Sequence, residues 1–395
     1  MLTTPDIKQL LKQYLYRNIA LPYELAYELA VFTLESFKKQ DKVAQIAAFA
    51  ALAACNTKAT YASKTGAEQI AGFSAAIFEH DIAVSPSGFL CPKVESVIDS
   101  GGMGGDLSHT ANVSTIASFI VAASGIPVAK HGAPSNTDTA HNGSSDFISF
   151  LGINTMAVRS QAEACIVETN FGYTESLDTQ YKSLHKQIRG LAPVPTLLDT
   201  VSPLTNPVSP KLLRRRIIGL NHLVAPEVVA RSYQLLNERG VTNMERVLAV
   251  RGLAGEDADG GFDEVSICSA GTIVAELYKD KIAVYRLTPD VFGIEPVLPE
   301  EVAPPEGMTK AEFSLRILQG QEHGGGFKMV CANAAVLLWL AGNVSHLREG
   351  YQQSQEILLS GAAWRKAEEV QDFVPKPLPV IPAHAGIHVG LPADN

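Results

Sequence analysis

Asp99-Ser-Gly-Gly-Met-Gly-Gly-Asp106 places four glycines in five positions, just after a short apolar run that reads as a strand. Glycine accepts positive φ and lets backbone N–H groups come close to an anion. The loop lacks the Lys of a Gly-x-x-x-x-Gly-Lys-Ser/Thr phosphate loop. Leu107 stands where a Gly-x-Gly-x-x-Gly dinucleotide motif needs its third glycine, so both common nucleotide motifs are excluded. A tight structural turn is the competing reading. Next comes Asn112-Val-Ser-Thr115 at the start of a helical run. One such residue caps a helix; three together favour a bound phosphate, aided by the free N–H groups and the helix dipole. Lys130-His-Gly132 ends a following strand, and Asn142-Gly-Ser-Ser-Asp146 opens another helix. A lysine beside several anion-ready helix starts at one sheet edge reads as a polyphosphate pocket. The adjacent carboxylates Asp263 and Glu264 follow Gly260-Gly261-Phe262. Alone they read equally well as solvated loop acids; beside a phosphate pocket they point to Mg²⁺ shared between carboxylate and phosphate oxygens.

These residues need a frame. From Asp6 to about Phe78 apolar residues recur at three- and four-residue steps, which predicts a small helical domain, with Thr65 and Glu68 in capping-box spacing at one helix start. Ser85-Pro-Ser-Gly and Cys91-Pro read as a linker. Strands are then predicted over 94–98, 126–129 and 153–158, alternating with helices over 114–124 and 145–151. That alternation predicts an α/β fold with a mostly parallel central sheet, whose carboxyl edge is where ligands bind. The span 175–190 reads as a polar helix returning to the N-terminal helices. Further strands are expected over 246–250 and 264–268, and helices over 309–318 and 332–340. From about Val374 the chain carries Pro375, Pro377, Pro379, Pro382 and Pro392 and reads as an extended appendage.

Composition narrows the function classes. The 395 residues carry a net charge of −9 and are 46% hydrophobic, an ordinary globular balance with no overall basic field for nucleic acid. The five cysteines are scattered without a Cys-x-x-Cys, which argues against a disulfide framework or structural zinc and fits a reducing cytoplasm. No signal peptide is expected, and the longest apolar stretch, Ala44 to Cys55, is too short to span a bilayer.

Taken together, Gly102-Met-Gly-Gly-Asp106, Asn112-Val-Ser-Thr115, Lys130-His-Gly132, Gly143-Ser144, Pro203-Leu-Thr-Asn-Pro207, Asp263-Glu264 and Asn333-Ala-Ala335 resemble anthranilate phosphoribosyltransferases in order and approximate spacing. The resemblance covers about residues 5–370. It implies the nucleoside-phosphorylase-like phosphoribosyltransferase fold, with a helical domain (1–80 plus about 172–195) that forms a homodimer. The α/β donor domain would cover 92–171 plus about 196–373, followed by the tail at 374–395. The implied reaction moves the phosphoribosyl group of phosphoribosyl pyrophosphate to anthranilate or a related aromatic or amine acceptor. In family terms Gly102, Gly104, Gly105 and Asp106 line the donor, with Asn112, Ser114, Thr115, Lys130 and Ser144 on its phosphates. Asp263 and Glu264 hold Mg²⁺ with Ser114 as a further ligand, and Arg189 faces the anthranilate carboxylate.

Departures from the family pattern cluster on the acceptor side. Met103 replaces threonine, Ala133 replaces asparagine, and the segment from Ala133 to Asn142 is two residues longer. Phe171-Gly-Tyr-Thr-Glu-Ser-Leu-Asp-Thr179 lacks the histidine that the family turns toward the acceptor. Two alternatives stand beside the transferase reading. A nucleoside phosphorylase would share the architecture, although the Asp263-Glu264 pair argues against it. A non-catalytic nucleic-acid binder draws its only local support from Lys211-Leu-Leu-Arg-Arg-Arg216, a run otherwise read as solvated surface.

Overall fold

The computed structural model describes residues 2–104, 109–134, 143–189, 194–255 and 261–377. The chain opens with α1 (Thr4–Gln13), α2 (Tyr23–Lys38), α3 (Lys42–Ala54), α4 (Lys58–Ala62) and α5 (Lys64–Ile77). There follow β1 (Val97–Gly102), α6 (Val113–Ala123), β2 (Val128–Gly132), α7 (Ser144–Phe150), α8 (Arg159–Thr169), β3 (Phe171–Glu175), α9 (Leu184–Arg189) and α10 (Leu198–Leu204). The sheet continues through β4 (Leu213–Gly219), α11 (Pro226–Glu238), β5 (Arg246–Leu253), β6 (Gly261–Phe262), β7 (Thr272–Tyr278) and β8 (Lys281–Leu287). Helices α12 (Lys310–Leu318), α13 (Gly325–Ala341), α14 (Leu347–Leu359) and α15 (Ala362–Phe373) complete it.

The strands order as β3-β2-β1-β4-β5-β7-β8, with β6 paired to β5. The first five run parallel, and β6, β7 and β8 are antiparallel additions at one side. Because successive strand residues face opposite sides, β5 serves two cores. Val247 and Ala249 pack toward the N-terminal helices and α11, while Leu248 and Val250 pack toward α6 and α13. Burial on both faces is why these strands read as apolar runs rather than alternating ones.

The helical start of the chain is as expected, and its small residues have a definite use. A Cβ on Gly72 of α5 would stand 2.2 Å from the Tyr23 carbonyl oxygen of α2, so that helix pair meets backbone to backbone. The cap of α5 differs from expectation: Ser63, not Thr65, accepts the Gly66 N–H, at 2.9 Å. Thr65 lies inside the first turn because Gly66 must come against α4, where a Cβ would meet the Thr60 carbonyl oxygen at 2.0 Å.

Several expected elements move. The first strand runs from Val97 to Gly102 rather than over 94–98, since Gly101 and Gly102 pair with Ile218 and Gly219 of β4. Two of the loop's glycines are therefore strand residues. No strand forms over 153–158: Ile153 makes a single bridge to Pro375, and Asn154 Oδ1 accepts the Met156 N–H, closing a turn. The edge strand is β3, reached through α8, which has almost no amphipathic pattern to betray it. The polar span 175–190 is helical only over Leu184–Arg189, because Glu175 still belongs to β3 and Asp178 turns the chain by accepting the Gln180 N–H. It does return to the first helices. Asp81 accepts from the Ser183 N–H and hydroxyl at 2.8 and 2.7 Å and from the Leu184 N–H at 3.1 Å.

No strand forms over 264–268 either. There the Asn333 side chain of α13 takes a neighbouring strand's place: its Oδ1 accepts the Val265 N–H and its Nδ2 donates to the Val265 carbonyl, both at 2.9 Å. The basic run ending at Arg216 is solvated at Lys211 and half-exposed at Arg214 and Arg215, but Arg216 is buried. It enters β4 at the middle of the sheet, where Arg214 and Arg215 pair with Glu245 and Arg216 is buried against Asp99. The pairing with Glu245 and the burial of Arg216 thereby weaken the local support for a nucleic-acid binder. Of the tail, Val374 is buried and Pro375 bridges Ile153, whereas residues 378–395 lie outside the described residues.

Candidate functional site

In a parallel sheet the carboxyl ends of the strands and the helix starts that follow them face one cleft. Here the ends of β1, β2 and β4 bring Gly102, Gly132 and Gly219 to that edge, with α6 starting just beyond. Lys130 lies within β2 and is buried. Its ammonium donates to the Ser100 carbonyl at 2.7 Å and to Ser114 Oγ, on the first turn of α6, at 3.4 Å. Burial lowers the Lys130 pKa, and the nearby charges of Asp99, Glu264 and Asp263 work against that shift.

The acidic pair sits in a bend after the short β6, not within a strand, so the two side chains are not forced to opposite faces. Asp263 Oδ2 accepts the Gly104 N–H at 2.7 Å, and Glu264 Oε1 accepts the Ser114 N–H at 3.3 Å. The carboxylates thus join the glycine loop to the start of α6. The approach needs two bare backbones. A Cβ on Gly102 would stand 2.0 Å from Asp263 Oδ2, and one on Gly219 would stand 1.5 Å from the Asp263 carbonyl oxygen. Gly102 is thus spared a side chain by a carboxylate, where the sequence pointed to a phosphate.

The oxygen donors fit Mg²⁺. Asp263, Glu264 and the Ser114 hydroxyl are hard ligands, converging beside a buried ammonium. Among the described residues no set of three or more His, Cys, Asp or Glu side chains could cage a metal. Magnesium suits such an incomplete set, since it keeps waters and takes substrate phosphate oxygens for the rest of its shell.

The other singled-out residues divide. Asn112 is turned toward α12, its N–H and Nδ2 donating to Ser314 Oγ at 2.8 and 3.2 Å. Thr115 is buried in the first turn of α6. Ser144 opens α7 against Gly132, where a Cβ would meet its Oγ at 2.0 Å. Arg189 ends α9 and donates from Nη1 to the Pro134 carbonyl at 3.3 Å. Gly105 and Asp106 lie outside the described residues, as do 135–142 of the lengthened segment.

Three further groups have partners that only the folded chain shows. His131 Nδ1 lies 2.9 Å from the Thr174 hydroxyl and 3.1 Å from the Thr174 carbonyl oxygen. Its Nε2 is buried without a partner among the described residues, and burial, with the Lys182 charge next, holds the ring well below the usual imidazole pKa. Glu175 is buried at the end of β3, level with Gly132. Asn333 fixes Val265, next to the acidic pair. It belongs to the Asn333-Ala-Ala335 motif, but its partner is visible only in three dimensions.

The glycosyl transferase family α/β-domain model matches residues 94–364. An anthranilate phosphoribosyltransferase of Nitrosospira multiformis is 31% identical over 280 residues, 71% of this chain and 76% of that protein. One from Petrotoga mobilis is 32% identical over 278 residues, 70% of this chain and 75% of that protein. Among solved structures, the anthranilate phosphoribosyltransferase of Thermus thermophilus superposes with a TM-score of 0.68 at 25% identity, covering 90% of this chain and 96% of that one. The Saccharomyces cerevisiae enzyme, solved in complex with PRPP and Mg, shares the fold, with a TM-score of 0.71 at 22% identity over 94% of this chain and 98% of that one. On these matches the chain belongs to the anthranilate phosphoribosyltransferase family.

Proposed function

We propose that this protein transfers the phosphoribosyl group of phosphoribosyl pyrophosphate to an aromatic amine, anthranilate or a relative of it. The amine nitrogen bonds to the anomeric carbon, the bond from that carbon to the pyrophosphate oxygen breaks, pyrophosphate leaves with the bonding pair, and the amine loses a proton. The observation that carries this reading is the convergence of Gly104, Ser114 and Lys130 with Asp263 and Glu264 at the carboxyl edge of a parallel sheet.

In this reading the donor lies along Gly102, Gly104, Gly105 and Asp106, with Asn112, Ser114, Thr115, Lys130 and Ser144 around its phosphates. Asp263, Glu264 and Ser114 hold Mg²⁺, which when bound supplies charge neutralisation for the departing pyrophosphate. Lys130, held in place by Ser100 beside the start of α6, adds a fixed positive charge for the phosphates. The helices of 1–80, with α9 packed beside them, serve dimerisation, for which α3 offers exposed Val43 and Ile46, whereas 171–175 belong to the sheet as β3. Free cysteines fit a reducing cytoplasm, and among the described residues no helix is long and apolar enough to cross a membrane.

Calorimetry with phosphoribosyl pyrophosphate and Mg²⁺ tests the reading. Binding that the Asp263→Ala, Glu264→Ala double variant loses is expected; an intact protein that does not bind the donor would overturn it.

A further inference from the structure

Tyr173 in β3 is 5% exposed, and its ring lies in the core on the α6 side of the sheet. Among the described residues its hydroxyl nevertheless has no hydrogen-bond partner. A buried phenol normally finds one, and a hydroxyl left without it destabilises the fold, so the exception needs a reason. The place of the hydroxyl supplies one. Tyr173 is the register partner of Lys130 in β2, so the two side chains leave the same face of the sheet side by side. From there the ring reaches forward to the strand end at Gly132. A Cβ on Gly132 would stand 2.8 Å from Tyr173 Oη as well as 2.0 Å from Ser144 Oγ, so a bare backbone lets the two hydroxyls converge. The serine protons are already engaged: Ser144 donates to the Ala133 carbonyl at 3.5 Å, and Ser145 donates to Glu175 Oε2.

Burial, and then the charge of Glu175, push the phenol well above its ordinary pKa against the pull of the nearby Ser145 and Ser144 hydroxyls, so it keeps its proton. It is therefore a donor with nothing to donate to, set beside a buried ammonium. An anionic oxygen satisfies both groups at once. Lys130 is as closed to solvent as Tyr173, and a hydrogen bond to a charged oxygen is strongest where water is excluded. We propose that Tyr173 is a donor-binding residue, its hydroxyl donating to a phosphate oxygen of phosphoribosyl pyrophosphate held between Lys130 and Ser144. This rests on the phosphoribosyl-transfer reading and extends its donor site to β3.

Tyr173→Phe removes the hydroxyl and keeps the ring. Thermal melts without ligand, and calorimetry with phosphoribosyl pyrophosphate and Mg²⁺, compare it with the wild type. The expected result is an unchanged or raised thermal midpoint, since an unpartnered buried hydroxyl is gone, together with donor affinity at least tenfold weaker. In pyrophosphate-release assays the donor KM should rise at least tenfold while the KM for anthranilate stays where it was. Titration with ribose 5-phosphate, and separately with pyrophosphate and Mg²⁺, shows by which of the two weakens which phosphate the hydroxyl serves. Unchanged donor affinity overturns the proposal, and a lowered midpoint beside it would mean that the hydroxyl holds a structural water. A variant that fails to fold, or a rise confined to the anthranilate KM, overturns it as well. Failure of the wild type to bind the donor at all strikes the transferase reading instead.

Discussion

Arg216 Nη2 lies 2.6 Å from Asp99 Oδ2 across the β1–β4 register, with both side chains essentially closed to solvent. The same guanidinium donates to the carbonyls of Pro203 and Leu204 and to the Tyr233 hydroxyl. One buried cation thus ties the sheet centre to the Pro203-Leu-Thr-Asn-Pro207 segment. Removing either partner alone leaves an uncompensated buried charge, a loss of about 3–5 kcal/mol. Asp99→Leu and Arg216→Met are each expected to be that destabilising, and the double variant to lose clearly less than their sum. Urea unfolding of all four proteins measures this; additive losses would refute the coupling.

Asn333 holds the acidic pair from behind. Asn333→Ala leaves the Val265 N–H and carbonyl without their partner, at a cost of about 1–3 kcal/mol for the unsatisfied groups. Since Asp263 and Glu264 directly precede Val265, the apparent Mg²⁺ affinity in donor binding should fall as well. A variant that is less stable but has an unchanged Mg²⁺ dependence would show Asn333 to be structural only.

Gly219→Ala should act on the same bend from the sheet side, because its Cβ would sit 1.5 Å from the Asp263 carbonyl oxygen. Donor affinity with Mg²⁺ should drop at least tenfold, equivalent to about 1.4 kcal/mol. Gly324→Ala, at a negative φ and with nothing within 4 Å of its Cβ, serves as the control for a simple glycine replacement. Equal donor affinity for both variants would count against the close approach.

Lys182 is fully buried, donates to the Ser202 carbonyl and Thr205 Oγ1, and is lowered from 10.5 to about 7, chiefly by desolvation. Its unfolded state therefore binds more protons between pH 7 and the ordinary lysine pKa, so this group disfavours folding most at pH 7 and below. The disadvantage fades as pH rises toward 10. Lys182→Met removes the titration, so its stability relative to wild type should be more favourable at pH 7 than at pH 9.5. Denaturant melts at both values decide it; a difference independent of pH would contradict the shift.

Gly66→Ala sets helix propensity against packing. Alanine is better than glycine in a helix by about 1 kcal/mol, but here its methyl would press on the Thr60 carbonyl oxygen at 2.0 Å. Overpacking of about 1–3 kcal/mol should win, giving a lower thermal midpoint. A raised midpoint would mean that α4 yields freely.

The sequence by itself determined the class of fold and the sheet edge at which the glycine loop, Lys130 and the acidic pair meet. Residues such as Gly102, Ser114, Lys130 and Asp263 are close to their motif neighbours along the chain, and β–α alternation by itself sends strand ends and helix starts to one edge. What it could not determine depended on partners far away in the chain. Nothing local distinguishes Arg216 from a solvated arginine until Asp99, 117 residues earlier, lies beside it in the sheet. The stretch after Glu264 reads as a strand because it is apolar, yet a side-chain amide from Asn333, 68 residues on, supplies the hydrogen bonds a strand would need. Glu175 likewise reads as a polar helix residue until β3 pairs with β2 and buries its carboxylate against the Ser145 hydroxyl. Burial and long-range pairing decide the meaning of a charged side chain, and both exist only once the chain has folded.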